Sequence, residues 1–157
     1  MLPVRAIHIV MLCGIAMANA IAADDDKMHH TAGAVPGLGE IMSLQLMRHA
    51  KLWLAGSQKN WPLADYELDE LREGFDDVQK YHQTHDGVPV GAMVQSLTPA
   101  PLAALGKAIE GKDAASFAKS FDQLTGACNT CHRAAKRGFI VITRPASSPF
   151  PNQKFAP

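Results

Sequence analysis

The sequence has no net charge, few cysteines and no apolar run long enough to span a membrane. Its 157 residues include 15 basic and 15 acidic side chains, so the formal net charge is zero. A nucleic-acid partner would require a basic stripe that displaces counterions, and the balanced composition removes that electrostatic basis. Three cysteines are too few for a disulfide scaffold. What remains is the composition of a single domain of modest size, in which 47% of the residues are hydrophobic.

The first 23 residues have the layout of a secretory signal peptide. One positive charge at Arg5 precedes the apolar stretch Ile7–Met17, and small residues follow it. This stretch is about half of the roughly 20 residues that a membrane anchor requires. A lipoprotein signal is disfavoured because bulky Leu12 stands just before Cys13. We therefore expect residues 1–23 to be removed together with Cys13, and a periplasmic protein without stable membrane insertion.

Apolar side chains recur at helical spacing through most of the remaining chain, and no alternating Val/Ile-rich runs separate them. Start signals such as Asn60 and stop signals such as Gly111 divide the pattern into four helices. The stretch from Val88 to Leu97 contains a proline and a glycine and is predicted as a crossover loop. The pattern predicts an all-α fold, an antiparallel four-helix bundle. The predicted helices run from Leu38 to about Ala55, from Asn60 to before His85, from Thr98 to Gly111 and from Asp113 to Gly138.

The bundle domain is predicted over residues 37–138, between two segments of different character. Residues 24–36 are polar and aperiodic, which predicts a flexible lead. Residues 139–157 open with a short apolar run and then contain several prolines. Because no second strand is available to pair with them, we expect an extended C-terminal arm packed on the bundle, with a mobile tail as the alternative.

The chemistry of the chain lies in Cys128-Asn129-Thr130-Cys131-His132, since C-x-x-C-H is the attachment signature of a c-type haem. Two thiols three residues apart on a helical turn can reach two vinyl groups of one porphyrin, and the adjacent imidazole can ligate the iron. A thioredoxin-type pair would follow a strand, a zinc site would need four ligands, and a disulfide within a helix would be strained. The motif therefore predicts one covalently bound haem c.

At this motif the sequence resembles the class II c-type cytochromes, the cytochrome c-prime group, which are four-helix bundles with C-x-x-C-H near the end of the last helix. The resemblance covers about Leu38 to Gly138 and implies that Cys128 and Cys131 hold the haem while His132 is the fifth iron ligand. The long tail departs from the family, whose members end soon after the haem histidine. Short strings elsewhere are similar to small exported bacterial proteins, a likeness that implies no function: Arg48 to Trp53, Asn60 to Ala64 and Phe139 to Pro145.

The sixth coordination position of the iron is expected to face helix one. In an up-down bundle the start of helix one lies level with the end of helix four. Met42 lies one to two turns into helix one, at the predicted height of His132, and His49 follows on the same face roughly 10 Å further along. We predict Met42 as the distal ligand and His49 as the second candidate. The alternatives are core packing for Met42 and a hydrogen-bonding core position for His49.

The predicted function is that of an exported monohaem cytochrome, which carries single electrons between redox partner proteins by Fe(III)/Fe(II) cycling. Within the resemblance, a helix-one Met makes the iron six-coordinate, whereas an apolar residue there leaves an open site that binds gases such as nitric oxide. A gas-binding or sensing module is therefore the alternative. A small haem enzyme would have to use His49 with Arg48, and no catalytic residue is assigned. The resemblance also allows two chains to pair as a homodimer.

Two further sets of side chains are candidates for the surroundings of the haem. Cationic side chains could pair with its propionates, although each could equally be a solvated surface charge. Aromatic side chains could line the porphyrin, although any bundle core would contain them. The cationic candidates are Arg48, Lys51 and Arg133, and the aromatic ones are Trp53, Trp61, Tyr66, Phe117 and Phe121.

Overall fold

The computed structural model describes residues 35–157, and this part of the chain is all-α, without a β-strand. The predicted signal peptide and most of the predicted lead fall on residues 1–34 and lie outside the described residues. Across residues 35–157, no helix combines the length and apolar character needed to cross a membrane. Five helices follow one another: α1 (Leu38–Ser57), α2 (Trp61–Tyr81), α3 (Val90–Leu97), α4 (Pro99–Glu110) and α5 (Ala114–Ala134).

The predicted start signals of α2 and α5 are confirmed by their capping hydrogen bonds. Asn60 Oδ1 accepts from the N–H of Leu63 at 3.4 Å, which satisfies one of the free donors of the first turn of α2. Asp113 Oδ1 accepts from the N–H groups of Ala115 and Ser116 at 3.0 and 3.1 Å, at the start of α5. Local side-chain chemistry therefore sets where these two helices begin.

The prediction of a crossover loop from Val88 to Leu97 is wrong, because residues 90–97 form α3. Pro89 precedes the first helical residue, and at that position its missing N–H breaks no helical hydrogen bond. Val90 and Val94 are buried and Leu97 is half-buried, so one apolar stripe turns toward the core. The proline and glycine in this stretch obscured that stripe in the sequence.

The last helix also ends earlier than predicted, at Ala134 rather than near Gly138. Lys136 adopts a positive φ of 58°, and the N–H of Arg137 donates to the carbonyl of His132 at 2.7 Å. This left-handed residue reverses the chain at the helix end. His132 consequently lies two residues before the end of α5. It is therefore nearer to the helix end than in the prediction that matched its height with that of Met42.

The most extensive helix contacts join α1 with α2 and α4 with α5. The apolar side chains that recur at helical spacing along α2 form a buried seam: Ala64, Leu68, Leu71, Phe75 and Val78. His82, which continues the same spacing, is half-buried. On α1, Leu46 is 53% exposed, whereas Gln45 is buried and donates from Nε2 to the carbonyl of Leu71 at 2.8 Å. The backbone of α2 approaches α1 closely beside this hydrogen bond, because a Cβ on Gly74 would lie 2.4 Å from the Gln45 side chain.

The C-terminal segment, residues 139–157, contacts α5 and the loop before α2. Arg144 donates from Nε and Nη2 to both carboxylate oxygens of Asp122 at 2.7 Å, and its guanidinium lies 4.1 Å from the ring centre of Trp53. Further along, Phe155 is buried, and Asn60 Nδ2 donates to the carbonyl of Ala156 at 3.5 Å. The segment thus supplies part of the core.

Candidate functional site

A largely apolar cavity of about 370 Å³ lies between α1, α3 and α5. This volume falls within the roughly 300–1,000 Å³ of typical cofactor and ligand pockets. The residues of the C-x-x-C-H motif and both candidate distal ligands share its lining: Met42, His49, Cys128, Cys131 and His132. The fold therefore brings together residues that are separated by about 80 positions in the sequence.

The two cysteines of the motif are half-buried free thiols on α5. Their spacing of three residues places them on one face of the helix, the face that lines the cavity. Burial raises the pKa of Cys128 to about 11 and also raises the pKa of Cys131. Both sulfurs are therefore protonated at neutral pH, and neither has the lowered thiol pKa of a reactive redox pair.

His132 is oriented by a hydrogen bond to the chain beyond the helix. Its Nδ1 lies 3.0 Å from the carbonyl oxygen of Ile140, and since a carbonyl only accepts, Nδ1 carries the proton. The neutral ring then has its lone pair on Nε2. An imidazole with a protonated, hydrogen-bonded Nδ1 and a free Nε2 is the arrangement that most metal-bound histidines adopt.

His49 is buried, lines the cavity from α1 and already uses one ring nitrogen. The hydroxyl of Thr125 donates to the carbonyl of Phe121 at 2.9 Å, so His49 Nε2, 2.9 Å from the Thr125 oxygen, must be the donor in that contact. The ring also packs against Phe121, with 4.3 Å between ring centroids. Burial lowers the pKa of His49 to about 4 and keeps the ring neutral. Only Nδ1 is left to ligate a metal.

Met42 also lines the cavity, and it is half-buried. It packs against the edge of the core together with Leu38, its neighbour one turn earlier on α1. Its sulfur is not committed to a hydrogen bond among the described side chains, whereas His49 is bonded to Thr125. Of the two candidate distal ligands, Met42 is thus the less constrained.

The charged residues that line the cavity are not the ones predicted from the sequence. Arg137 and Asp86 both line it and form an ion pair at 2.9 Å, and His85 Nε2 lies 3.7 Å from the same carboxylate. The three cations proposed as propionate partners do not belong to the lining: Arg48 pairs with Glu70 at 2.7 Å, Lys51 lies 4.0 Å from Glu67, and Arg133 donates to Thr130 at 3.0 Å. The signal that could have found Arg137 is its position just after the motif.

The aromatic candidates form a cluster beside the cavity rather than part of its lining. Trp53 packs on Phe121 at 5.0 Å between centroids, and Trp61 meets Phe117 edge-on at 6.0 Å. Gly56 allows this cluster to close, because a Cβ there would lie 2.1 Å from the Phe117 ring. Tyr66 is 57% exposed. Core packing is therefore the role that the structure gives to the four buried or half-buried aromatics.

The donor set at the cavity fits a haem c. Two thiols at helical i, i+3 spacing and an imidazole with a free Nε2 share a lining that is otherwise mainly apolar. Among residues 35–157, no group of three or more His, Cys, Asp or Glu side chains is arranged to hold a bare metal ion. A porphyrin carries its own four nitrogen ligands and so requires only axial groups from the protein.

Comparison with known proteins yields no match to a family model, to a curated protein or to a solved structure. The functional argument therefore rests on the motif and on the geometry of the cavity.

Proposed function

We propose that the chain is an exported monohaem c-type cytochrome that carries single electrons between redox partner proteins. The observation that carries this proposal is the shared cavity, in which the thiols of Cys128 and Cys131 and the imidazole of His132 lie on the same lining as Met42. When bound, haem c supplies one-electron Fe(III)/Fe(II) cycling.

In this proposal each protein residue has a defined task. Cys128 and Cys131 would hold the haem through two thioethers, each formed by adding S–H across one vinyl group, so that nothing is released. His132 Nε2 would ligate the iron, because the Ile140 carbonyl holds the proton on Nδ1. Met42 would offer its thioether sulfur from α1 as the second protein ligand, and the apolar lining would exclude water and raise the reduction potential.

We further propose that α1, α2, α4 and α5 form the antiparallel four-helix bundle of a class II cytochrome, with α3 inserted in the crossover connection. The packing of α1 on α2 and of α4 on α5 supports this arrangement. The C-terminal segment would be an arm laid along α5, as its contacts with Asp122 and Asn129 suggest. The signal-peptide pattern of residues 1–23 supports export to the periplasm, where covalent haem attachment takes place.

The visible absorption spectrum of the ferric holoprotein tests the electron-carrier assignment. Wild type should be low-spin and show the long-wavelength charge-transfer band of methionine-ligated haem, and Met42→Ala should lose that band. Met47→Ala is the matched control, because Met47 is also half-buried on α1 but does not line the cavity. It should keep the band.

Two outcomes would contradict the assignment. A high-spin wild-type spectrum with rapid nitric oxide binding would favour the gas-binding alternative. A band that survives Met42→Ala would exclude Met42 as the ligand. A low-spin wild-type spectrum that lacks the band and becomes high-spin in His49→Phe would transfer the role to His49.

A further inference from the structure

Asn129, an interior residue of the C-x-x-C-H motif, binds the backbone of the C-terminal segment. The N–H of Ile142 donates to Asn129 Oδ1 at 2.8 Å, and Asn129 Nδ2 donates to the carbonyl of Ile142 at 2.9 Å. The side-chain amide thus pairs with both backbone groups of one residue through two hydrogen bonds, as a residue of a neighbouring antiparallel strand would. Both residues are half-buried, so water competes poorly for these groups.

We call the two hydrogen bonds between Asn129 and Ile142 the Asn129 clamp. It lies two residues from Ile140, whose carbonyl oxygen accepts the hydrogen bond that orients His132. The carbonyl of Ile140 receives the Nδ1 proton at 3.0 Å, and the N–H of Ile140 donates to the carbonyl of Arg137 at 2.9 Å. The turn is closed at its other end, where the N–H of Arg137 donates to the carbonyl of His132 at 2.7 Å. Ile140 is thereby fixed between the helix end on one side and the Asn129 clamp on the other.

A second anchor further along allows the clamp to be tested separately. Arg144 holds the segment on α5 through Asp122 and through a hydrogen bond to the carbonyl of Ala118 at 3.0 Å. If Asn129 is changed, residues 144–157 remain attached. Only the stretch that carries the Ile140 carbonyl is released.

We propose that Asn129 is a positioning residue for the haem histidine: by clamping Ile142, it holds the Ile140 carbonyl on His132 Nδ1. This inference rests on the proposed function, since it concerns the iron ligand. A hydrogen bond accepted from Nδ1–H increases the basicity of Nε2 and stabilises Fe(III). The tail that distinguishes this chain from class II cytochromes therefore tunes the reduction potential from the proximal side.

Asn129→Ala tests the proposal, with Thr130→Ala as the matched control. Thr130 is the other interior residue of the motif, is exposed, and has its side chain bonded only to Arg133. In the haem-loaded full chain, Asn129→Ala should speed amide hydrogen exchange at Ile142 by about tenfold, since its N–H loses its acceptor. The same variant should raise the reduction potential, and Thr130→Ala should change neither quantity.

Ile142→Pro provides an independent route, because it removes the clamped N–H and leaves Asn129 in place. It should raise the potential in the same direction, and the double variant with Asn129→Ala should add little, since both changes break one interaction. Unchanged exchange at Ile142 in Asn129→Ala would overturn the clamp. Faster exchange with an unchanged potential would overturn the positioning role.

Failure of this inference can be distinguished from failure of the proposed function. A wild-type chain that carries no covalent haem would overturn both. A haem-loaded wild type whose potential does not respond to Asn129→Ala or Ile142→Pro would overturn the positioning role alone.

Discussion

The buried imidazole of His49 couples stability to pH. Its side chain is 3% exposed, and burial lowers its pKa from 6.5 to about 4. The folded chain therefore favours the neutral ring. As the pH falls below 6.5, the unfolded chain binds a proton that the folded chain does not accept until about pH 4, so stability is lost across this window.

We expect the free energy of unfolding to decrease by about 3 kcal/mol between pH 7 and pH 4 because of this residue. His49→Phe should remove that part of the pH dependence, since phenylalanine does not titrate and suits an apolar site beside Phe121. Urea unfolding at the two pH values measures the effect. Gln45→Met, a non-titrating change at another buried α1 position, should shift both values equally. An unchanged pH dependence in His49→Phe would contradict the assignment.

The buried polar residues of α1 also show what a sequence pattern cannot reveal. Gln45 and His49 are buried, while the apolar Leu46 beside Gln45 is 53% exposed. Their burial depends on partners in other helices, the Leu71 carbonyl and the Thr125 hydroxyl. Hydrophobic periodicity does not contain these partners, so it predicted the helix but not the hydrogen bonds that allow two polar side chains to be buried on it.

At the scale of elements, four of the five helices and several of their boundaries could be predicted because they depend on local chemistry. The caps at Asn60 and Asp113 and the seam of α2 are of this kind. The misassigned elements depend on the tertiary environment. Residues 90–97 become helical because Val90 and Val94 are buried in the core, which offsets the low helix propensity of Gly91.

The C-terminal segment contributes to stability through one buried aromatic side chain. Phe155 is 3% exposed and packs near Phe150, with 6.0 Å between ring centroids, whereas Phe139 is 79% exposed. Phe155→Ala should therefore lower the free energy of unfolding by about 3 kcal/mol. Phe139→Ala, the same chemical change within the same segment, should alter it by less than about 0.5 kcal/mol.

Chemical unfolding of the two variants beside wild type measures this difference. Equal effects of Phe155→Ala and Phe139→Ala would show that the segment does not pack as described. A large effect of Phe155→Ala alone would show that residues near the C-terminus belong to the folded core.

At the scale of the whole molecule, some residues of the candidate site could be predicted from the sequence and others could not. The motif from Cys128 to His132 is contiguous and could be recognised at once. Met42 and His49 could be proposed from helical geometry, and both line the same cavity as the motif. The Arg137 and Asp86 pair could not be anticipated, because it depends on how the chain reverses after α5.

The acidic and basic side chains are unevenly distributed along the chain. The acidic side chains are concentrated on α2, and none follows Asp122 in the sequence. The chain beyond the motif is therefore exclusively basic in its charged residues, although the molecule as a whole is neutral. Net charge alone conceals this uneven distribution of charge along the chain.

The intact mass of the purified, denatured protein tests the central claim most directly. After expression with the machinery that attaches c-type haem, the wild-type chain should carry the added mass of one haem, and the Cys128→Ser, Cys131→Ser double variant should carry none. A wild-type chain at its bare polypeptide mass, or a double variant that still holds haem covalently, would contradict the account.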